Sequence, residues 1–336
     1  MRLITSRHIV QRRKQNDGVV LRSSKMYKQY LNSYNNIKEV REMSNLSTYL
    51  FSTKAVRACE ENKPFWLTSG KIGVYFINSE FLFGGETQAN KFIEQIDDFL
   101  KDKNTLPQKV YAVVLEQYNI NSTFKHVIDE MKNKILSTTS ISEIDYISGG
   151  ERRDWVFSLM VAKLLGKPHI TLFKDQSGLT SDSEFKHTEE TGSITGKKVL
   201  HVSDLITTAS SYVDYWVPAI TKLGGKMTQT LTVVDRMQGG ADILAKYGVN
   251  TLSMFEVNRD LFKAALDQKC ITEKQFEMIE EYMRDPDTTM RNFLIAHPEF
   301  LKDSLRGEGK TKVRVEKCLS QNLYDLPEST IKAITG

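Results

Sequence analysis

Residues 199–211 read VLHVSDLITTASS. Mostly apolar positions lead into Ser203-Asp204. Two more apolar residues follow, and then a small, hydroxylic run: Thr207, Thr208, Ala209, Ser210 and Ser211. A buried strand that ends on an acid and turns through small residues into a helix exposes several backbone N–H groups together. A phosphate placed there accepts from those amides and from the hydroxyls, with the helix dipole in support. The acid before the turn suits ribose hydroxyls or, through water, Mg²⁺, which prefers oxygen ligands. The plain alternative is a hydroxyl-rich helix start in which Ser210 or Thr208 caps the helix.

The surrounding chain supplies a sheet for that turn. KVYAVVLEQ (109–117), EIDYISGG (143–150), KPHITLFKD (167–175), KKVLHVSD (197–204) and MTQTLTVVD (227–235) read as strands. STFKHVIDEMKNKIL (122–136), WVFSLMVAKLLG (155–166) and SSYVDYWVPAITKLGG (210–225) read as helices between them. This alternation predicts an α/β fold, a parallel sheet of about five strands with right-handed crossovers over roughly residues 110–255. In such sheets ligands collect at the carboxyl ends of the strands. Gly149-Gly150, Lys174, Asp204 with the hydroxyl run, and Asp235-Arg236 all fall there. Beyond residue 260 the pattern turns helical. Thr272 and Gln275 form a capping box ahead of EKQFEMIEEYMRD (273–285), Pro286 breaks that helix, and TTMRNFLIAHPEFLKDSL (288–305) reads as a second helical stretch. RGEGKTKVRVEK (306–317) reads as a basic loop or tail.

Composition sets wider bounds. The 336 residues, 40% hydrophobic and 26% charged, can bury a sizeable core. The net charge of +4 suits a small polyanion as well as any larger one. Cys59, Cys270 and Cys318 are far apart and odd in number, which fits a reduced, cytoplasmic protein. No apolar run reaches the length of a membrane span. Residues 1–42 are basic and poor in acids, a composition shared by transit peptides and by disordered basic arms. That arm lacks interleaved aromatics and no nucleic-acid motif is present, which argues against nucleic acid as a partner. The reading is a basic extension (1–42), a central domain (43–262) and a helical appendage (263–336).

VLHVSDLITTASS resembles the phosphate-binding signature of type I phosphoribosyltransferases. LTVVDRMQGGADILAKYGVNTLSMF (231–255) and KPFWLTSGKIGVYFIN (63–78) are similar to two segments of the orotate phosphoribosyltransferases of that family, and all three occur in the family order. The resemblance covers about residues 50–260 and implies a type I phosphoribosyltransferase-like sheet with a hood at about 50–85. It implies transfer of ribose 5-phosphate from phosphoribosyl pyrophosphate (PRPP) to a base such as orotate, with Mg²⁺, in a homodimer. Alternatives of the same fold are a transferase for another base and a non-catalytic PRPP or nucleotide sensor.

Carried over residue by residue, the resemblance implies that Asp204 binds the ribose hydroxyls, with Mg²⁺ as a further possible partner. Ser203 and Thr207 to Ser211, with Ala209 among them, cradle the 5-phosphate. Gly150, Arg152, Arg153 and Lys71 meet the remaining phosphates. Lys174 corresponds to the lysine that ends a strand ahead of a mobile loop, here 175–195, and Lys186 and His187 to basic residues that this loop brings over PRPP, often from the neighbouring subunit. Arg236 contacts the base carboxylate, with Tyr75 and Phe76 beside the base. The departures are Ser203 for the first acid, Phe173 for an Arg, Thr68 for a Lys, and Ala209 for a glycine, where a methyl group threatens the phosphate. Each removes charge or room from a polyanion site.

Overall fold

Val56, Ile72, Val74 and Ile77 are the buried apolar anchors of the first segment. They hold two short antiparallel pairs, β1 (Val56–Ala58) with β4 (Tyr75–Ile77) and β2 (Phe65–Trp66) with β3 (Ile72–Gly73). This is the expected hood. The structure, a computed structural model, describes residues 46–335; the basic extension 1–42 lies outside the described residues.

Three helices follow: α1 (Glu86–Phe99), α2 (Leu106–Ile120) and α3 (Ser122–Thr138). The strand expected at 109–117 is the middle of α2. Its β-branched residues suggested a strand, but Leu106, Val110, Val114 and Gln117 are the buried positions, a helical spacing. Pro107 in the first turn suits a helix start because its fixed φ is already helical.

The main sheet has the order β11-β10-β9-β5-β6-β7-β8. Its parallel part is β5 (Tyr146–Gly150), β6 (His169–Leu172), β9 (Lys198–Ile206), β10 (Lys226–Asp235) and β11 (Asn250–Glu256). Helix α4 (Trp155–Leu165) joins β5 to β6. Helix α5 joins β9 to β10; it is π-helical over Tyr212–Trp216 and α-helical over Val217–Lys222. Helix α6 (Gly240–Lys246) joins β10 to β11. The chain winds one way from β5 to β6 and the other way from β9 to β11, so strand order reverses at the β5–β9 pair. A crevice opens outside the strand ends at such a reversal.

Two short strands extend the edge of the sheet. β7 (Gly178–Ser181) runs antiparallel to β6, and β8 (Thr188–Glu190) runs antiparallel to β7. The segment expected as a loop, 175–195, thus contains a hairpin over 178–190. Its tip is tied down twice. The Asp182 carboxylate accepts from the N–H groups of Glu184, Lys186 and His187, and Phe185 is buried and stacked on Tyr111 of α2 at 4.2 Å.

The C-terminal region is α7 (Arg259–Asp267), α8 (Glu273–Arg284), α9 (Pro286–Ala296), α10 (Pro298–Arg306), α11 (Lys310–Ser320) and α12 (Glu328–Thr335). Both bonds of the Thr272–Gln275 capping box form. The stretch 288–305 is two helices, because His297-Pro298 interrupts it, and the expected basic tail contains α11. These helices pack on the hood. Trp66 stacks on Phe300 at 5.6 Å and donates from Nε1 to Ser304 Oγ at 2.9 Å. The Ile72 N–H donates to Tyr324 Oη at 2.7 Å. Trp66→Ala removes both the stack and the hydrogen bond at a buried position. The expected cost is about 3–5 kcal/mol of unfolding free energy, the range for a buried Trp cut to Ala. Urea denaturation checks it; a cost below about 1 kcal/mol would mean that the hood and the helices are not held together here.

Candidate functional site

The site grows from the end of β5. The Gly150 N–H donates to Asp154 Oδ2 at 2.9 Å, and a Cβ on Gly150 would stand 2.2 Å from the Trp216 indole, so only glycine fits. Asp154 Oδ1 accepts from the Asp204 N–H at 3.0 Å. Its Oδ2 also meets His201 Nε2 at 3.2 Å, and His201 Nδ1 meets Ser148 Oγ at 2.9 Å. Asp154, His201 and Ser148 are all buried. One carboxylate thus ties the end of β5 to the end of β9.

A cavity of about 370 Å³ opens beside this clamp. Residues 151–154, Lys174, the segment 203–212 and Trp216 line it. The structure therefore brings together Arg152, Arg153, Lys174, Asp204 and the hydroxyl run, which are distant in sequence. The hydroxyls of Thr207, Thr208, Ser210 and Ser211, and the N–H groups of Thr208 to Ser211, have no hydrogen-bond partner among the described residues. Free amides at a helix start attract an anion. Ala209 takes a left-handed φ of 56°, a conformation that disfavours a β-carbon by about 1–2 kcal/mol. Ala209 is buried and packs with Ile206, Tyr212 and Trp216, and all four also border the cavity.

The electrostatics are crowded. Ser79 Oγ donates to Asp204 Oδ2 at 3.2 Å. Burial, and then the carboxylates of Asp154 and Glu80, hold Asp204 well above the usual carboxylate range, with Arg153 opposing. Glu80 is itself buried and raised; one oxygen pairs with Arg153 Nε at 3.2 Å, and Oε2 is buried without a partner among the described residues. Arg152 pairs with Asp97 of α1. Among the described residues no group of three or more His, Cys, Asp or Glu is placed to hold a metal ion.

Arg236 follows β10, and its N–H donates to the Ile206 carbonyl at 3.0 Å, which sets it beside the hydroxyl run. Its Nε is buried with no partner among the described residues. Burial raises the Tyr75 phenol, and the Arg236 charge opposes that rise. Tyr75 and Arg236 therefore share one neighbourhood.

The remaining expected residues are placed as follows. Ser203 borders the cavity, but its hydroxyl is buried and accepts from Tyr212 Oη at 2.6 Å, on the face opposite Asp204. The Gly150 N–H is engaged by Asp154 and is not free for phosphate. Lys71 Nζ lies 2.7 Å from Asp287 of α9 and is outside the cavity lining. Lys186 and His187 sit exposed at the hairpin tip, also outside it. Phe76 alternates to the face opposite Tyr75, beside Arg57 and Phe65. Lys174 does line the cavity, although β6 stops two residues earlier, at Leu172.

Sequence reading missed Asp154, His201, Ser79 and Glu80. Asp154 closes the charged run ERRD and looked like a solvated helix start. Glu80 carries no local signal; only the folded hood brings it near Asp204.

The raised Asp204 carboxyl has a consequence for stability. An acid whose folded pKa lies above its unfolded value opposes folding increasingly as pH rises through that interval. Asp204→Asn should therefore raise Tm at pH 7.5 by about 2–4 °C, the shift that about 1 kcal/mol gives in a domain of this size. The gain should fade toward acid pH, where the wild-type carboxyl is itself protonated. Calorimetric melting at several pH values checks this; an unchanged or lower Tm at pH 7.5 contradicts it.

No protein-family model matches the chain. In sequence the chain is similar to the orotate phosphoribosyltransferase of Sulfurisphaera tokodaii, with 25% identity over 162 residues, 48% of this chain and 80% of that protein. It is also similar to the orotate phosphoribosyltransferase of Sulfolobus acidocaldarius, with 27% identity over 127 residues, 38% of this chain and 61% of that protein. Among solved structures, the orotate phosphoribosyltransferase of Francisella tularensis aligns over 70% of this chain and 96% of that one, with 12% identity and a TM-score of 0.46. At these modest identities, the chain resembles orotate phosphoribosyltransferases.

Proposed function

We propose that the protein transfers ribose 5-phosphate from PRPP to a pyrimidine base bearing a carboxylate, orotate, and releases pyrophosphate. The observation that carries this reading is the cavity at the strand-order reversal, where the unpartnered amides and hydroxyls of residues 207–211 adjoin Asp204, with the backbone of Arg236 bonded to Ile206 just before that run. The sequence likeness to orotate phosphoribosyltransferases supports it.

The division of labour follows from the chemistry of the groups. The loop amides and hydroxyls donate to the 5-phosphate. Asp204 accepts from the ribose hydroxyls and, when ionised, faces the positive charge that develops on the sugar as the bond from C1 to the pyrophosphate oxygen breaks. A base nitrogen forms the new bond to C1 and gives up its proton to solvent or to the departing anion, and the electron pair of the broken C1–O bond leaves with pyrophosphate. Lys174, Arg152 and Arg153 border the side on which that anion departs. Catalysis of this kind is mainly positioning plus charge stabilisation. The two arginines are each balanced by a carboxylate, so protein cations alone leave little excess charge for pyrophosphate. The Asp204 carboxylate, when ionised, is an oxygen ligand of the kind Mg²⁺ prefers and would touch a Mg²⁺ carried by the substrate. Mg²⁺ would supply charge neutralisation of the departing pyrophosphate. The same reading gives Lys186 and His187 to the cavity of a second copy in a homodimer.

A second reading, a PRPP-binding regulator without turnover, is favoured by Ser203, which stands where the resemblance calls for an acid and has its hydroxyl engaged by Tyr212. Pyrophosphate release from PRPP and Mg²⁺ with a panel of bases separates the two. The first reading expects turnover with orotate; PRPP binding with no turnover on any base supports the second. In either case Asp204→Ala should weaken PRPP binding about ten-fold or more, because a hydrogen bond to a charged group contributes about 1.5–3 kcal/mol. Equal affinity by calorimetry contradicts the role of Asp204. Arg236→Lys keeps charge and loses the fork. It should lower kcat/KM for orotate about ten- to a hundred-fold and leave PRPP affinity nearly unchanged. An equal loss on both substrates would make Arg236 a support of the loop and not a base contact.

A further inference from the structure

Two phenols stand in the field of Arg236. One is Tyr75 of the hood and the other is Tyr282 of α8, beyond the stretch 50–260 that carries the sequence resemblance. Their rings meet edge to face, with centroids 5.7 Å apart and planes at 85°. Phe262 of α7 backs Tyr75 at 5.1 Å. The Tyr282 hydroxyl lies over Gly73, where a Cβ would stand 3.1 Å from it, so the small residue leaves room for this approach. Neither phenol hydroxyl has a hydrogen-bond partner among the described residues, and the Arg236 Nε has none either. Burial holds the Tyr75 phenol above its ordinary value and pushes Tyr282 up to about 12, so both hydroxyls remain protonated donors across neutral pH.

We propose that Tyr282, delivered by the C-terminal helices, is a specificity-determining residue of the base subsite, where its hydroxyl donates to a ring carbonyl of a planar heterocycle whose carboxylate Arg236 holds. The inference rests on the transfer reading above. A cation and a neutral donor discriminate in different ways. The cation selects the carboxylate; the phenol selects a base with a carbonyl acceptor, because an analogue lacking it leaves a desolvated hydroxyl unpaired. The competing role is packing alone, in which Tyr282 only fixes α8 against β3 and β4.

The test is Tyr282→Phe, which keeps the ring and its contact with Tyr75 and removes the hydroxyl. Initial rates are measured with orotate and PRPP varied in turn, beside Tm. The expected result is a kcat/KM for orotate lowered about two- to ten-fold, the fold-change of one neutral hydrogen bond, with KM for PRPP and Tm unchanged. A pyrimidine analogue that keeps the carboxylate and lacks the ring carbonyl should be used equally by wild type and variant. Three results overturn the proposal: orotate kinetics unchanged, a loss that falls equally on orotate and PRPP, or an equal loss with the carbonyl-free analogue. If the wild type uses orotate and the variant behaves in one of those ways, only the role of Tyr282 fails. If the wild type turns over no orotate, the transfer reading fails and takes this inference with it.

Discussion

The Asp154 carboxylate carries the architecture of the cavity. It receives the N–H of Gly150 at the end of β5 and the N–H of Asp204 near the end of β9, and it faces the buried His201 ring. Those two strands are the pair at which strand order reverses. Nothing else in a parallel sheet obliges two strand ends to stay at one spacing once the ladder stops, and here the ladder between them stops at Ser148–His201. Asp154 continues the connection beyond that point with two side-chain bonds. Losing it would leave two amides and an imidazole unsatisfied in the interior, at about 1–3 kcal/mol each. It would also release the backbone of Asp204, and with it the turn through residues 207–211.

The same clamp creates the tension in the site. Burial, and then Asp154 and Glu80, disfavour ionisation of Asp204, and Arg153 opposes them. A fold optimised for stability alone would not gather carboxylates at a strand end. The raised carboxyls of Asp204 and Glu80 stand beside free amides, an arrangement in which stability is given up for charge. The opposite wall is apolar. Trp216 fills the space left by Gly150, and Ala209, Tyr212 and Ile206 complete a dry floor under the loop. The hood reaches the site through Ser79, bonded to Asp204, and Glu80, paired with Arg153, and the C-terminal helices hold the hood through Trp66, Ile72 and Lys71. The helical region is thus part of the frame that sets Tyr75 near Arg236.

Much of this was legible in the sequence where local pattern and tertiary role coincide. VLHVSDLITTASS announced a strand, an acid and a hydroxylic turn, and those residues do form β9 and the cavity loop. The strand ends at Gly150 and Asp235, and the helices at 155–165 and 217–222, follow from apolar runs bounded by glycine and charge. The failures have physical causes. The 109–117 run has strand-like residues, but its buried positions recur with helical spacing against α3 and α4. The hairpin at 178–190 is polar because it lies at the sheet edge, so it resembled a loop. Ser203 and Asp204 are neighbours in sequence, yet strand alternation sends one into the core and the other to the cavity. Lys71 was drawn to Asp287, 216 positions away, and Asp154 acquired its role from Gly150, His201 and Asp204. No local window contains that information.

The central claim is that a ribose-phosphate sits on the turn after β9, at the strand ends joined by Asp154. The most direct measurement is a crystal structure of the protein with PRPP and Mg²⁺. The account predicts the 5-phosphate within about 3 Å of the N–H groups between Thr208 and Ser211, with the ribose hydroxyls on Asp204. A 5-phosphate bound away from residues 207–211, or a cavity that stays empty at saturating PRPP, would contradict it.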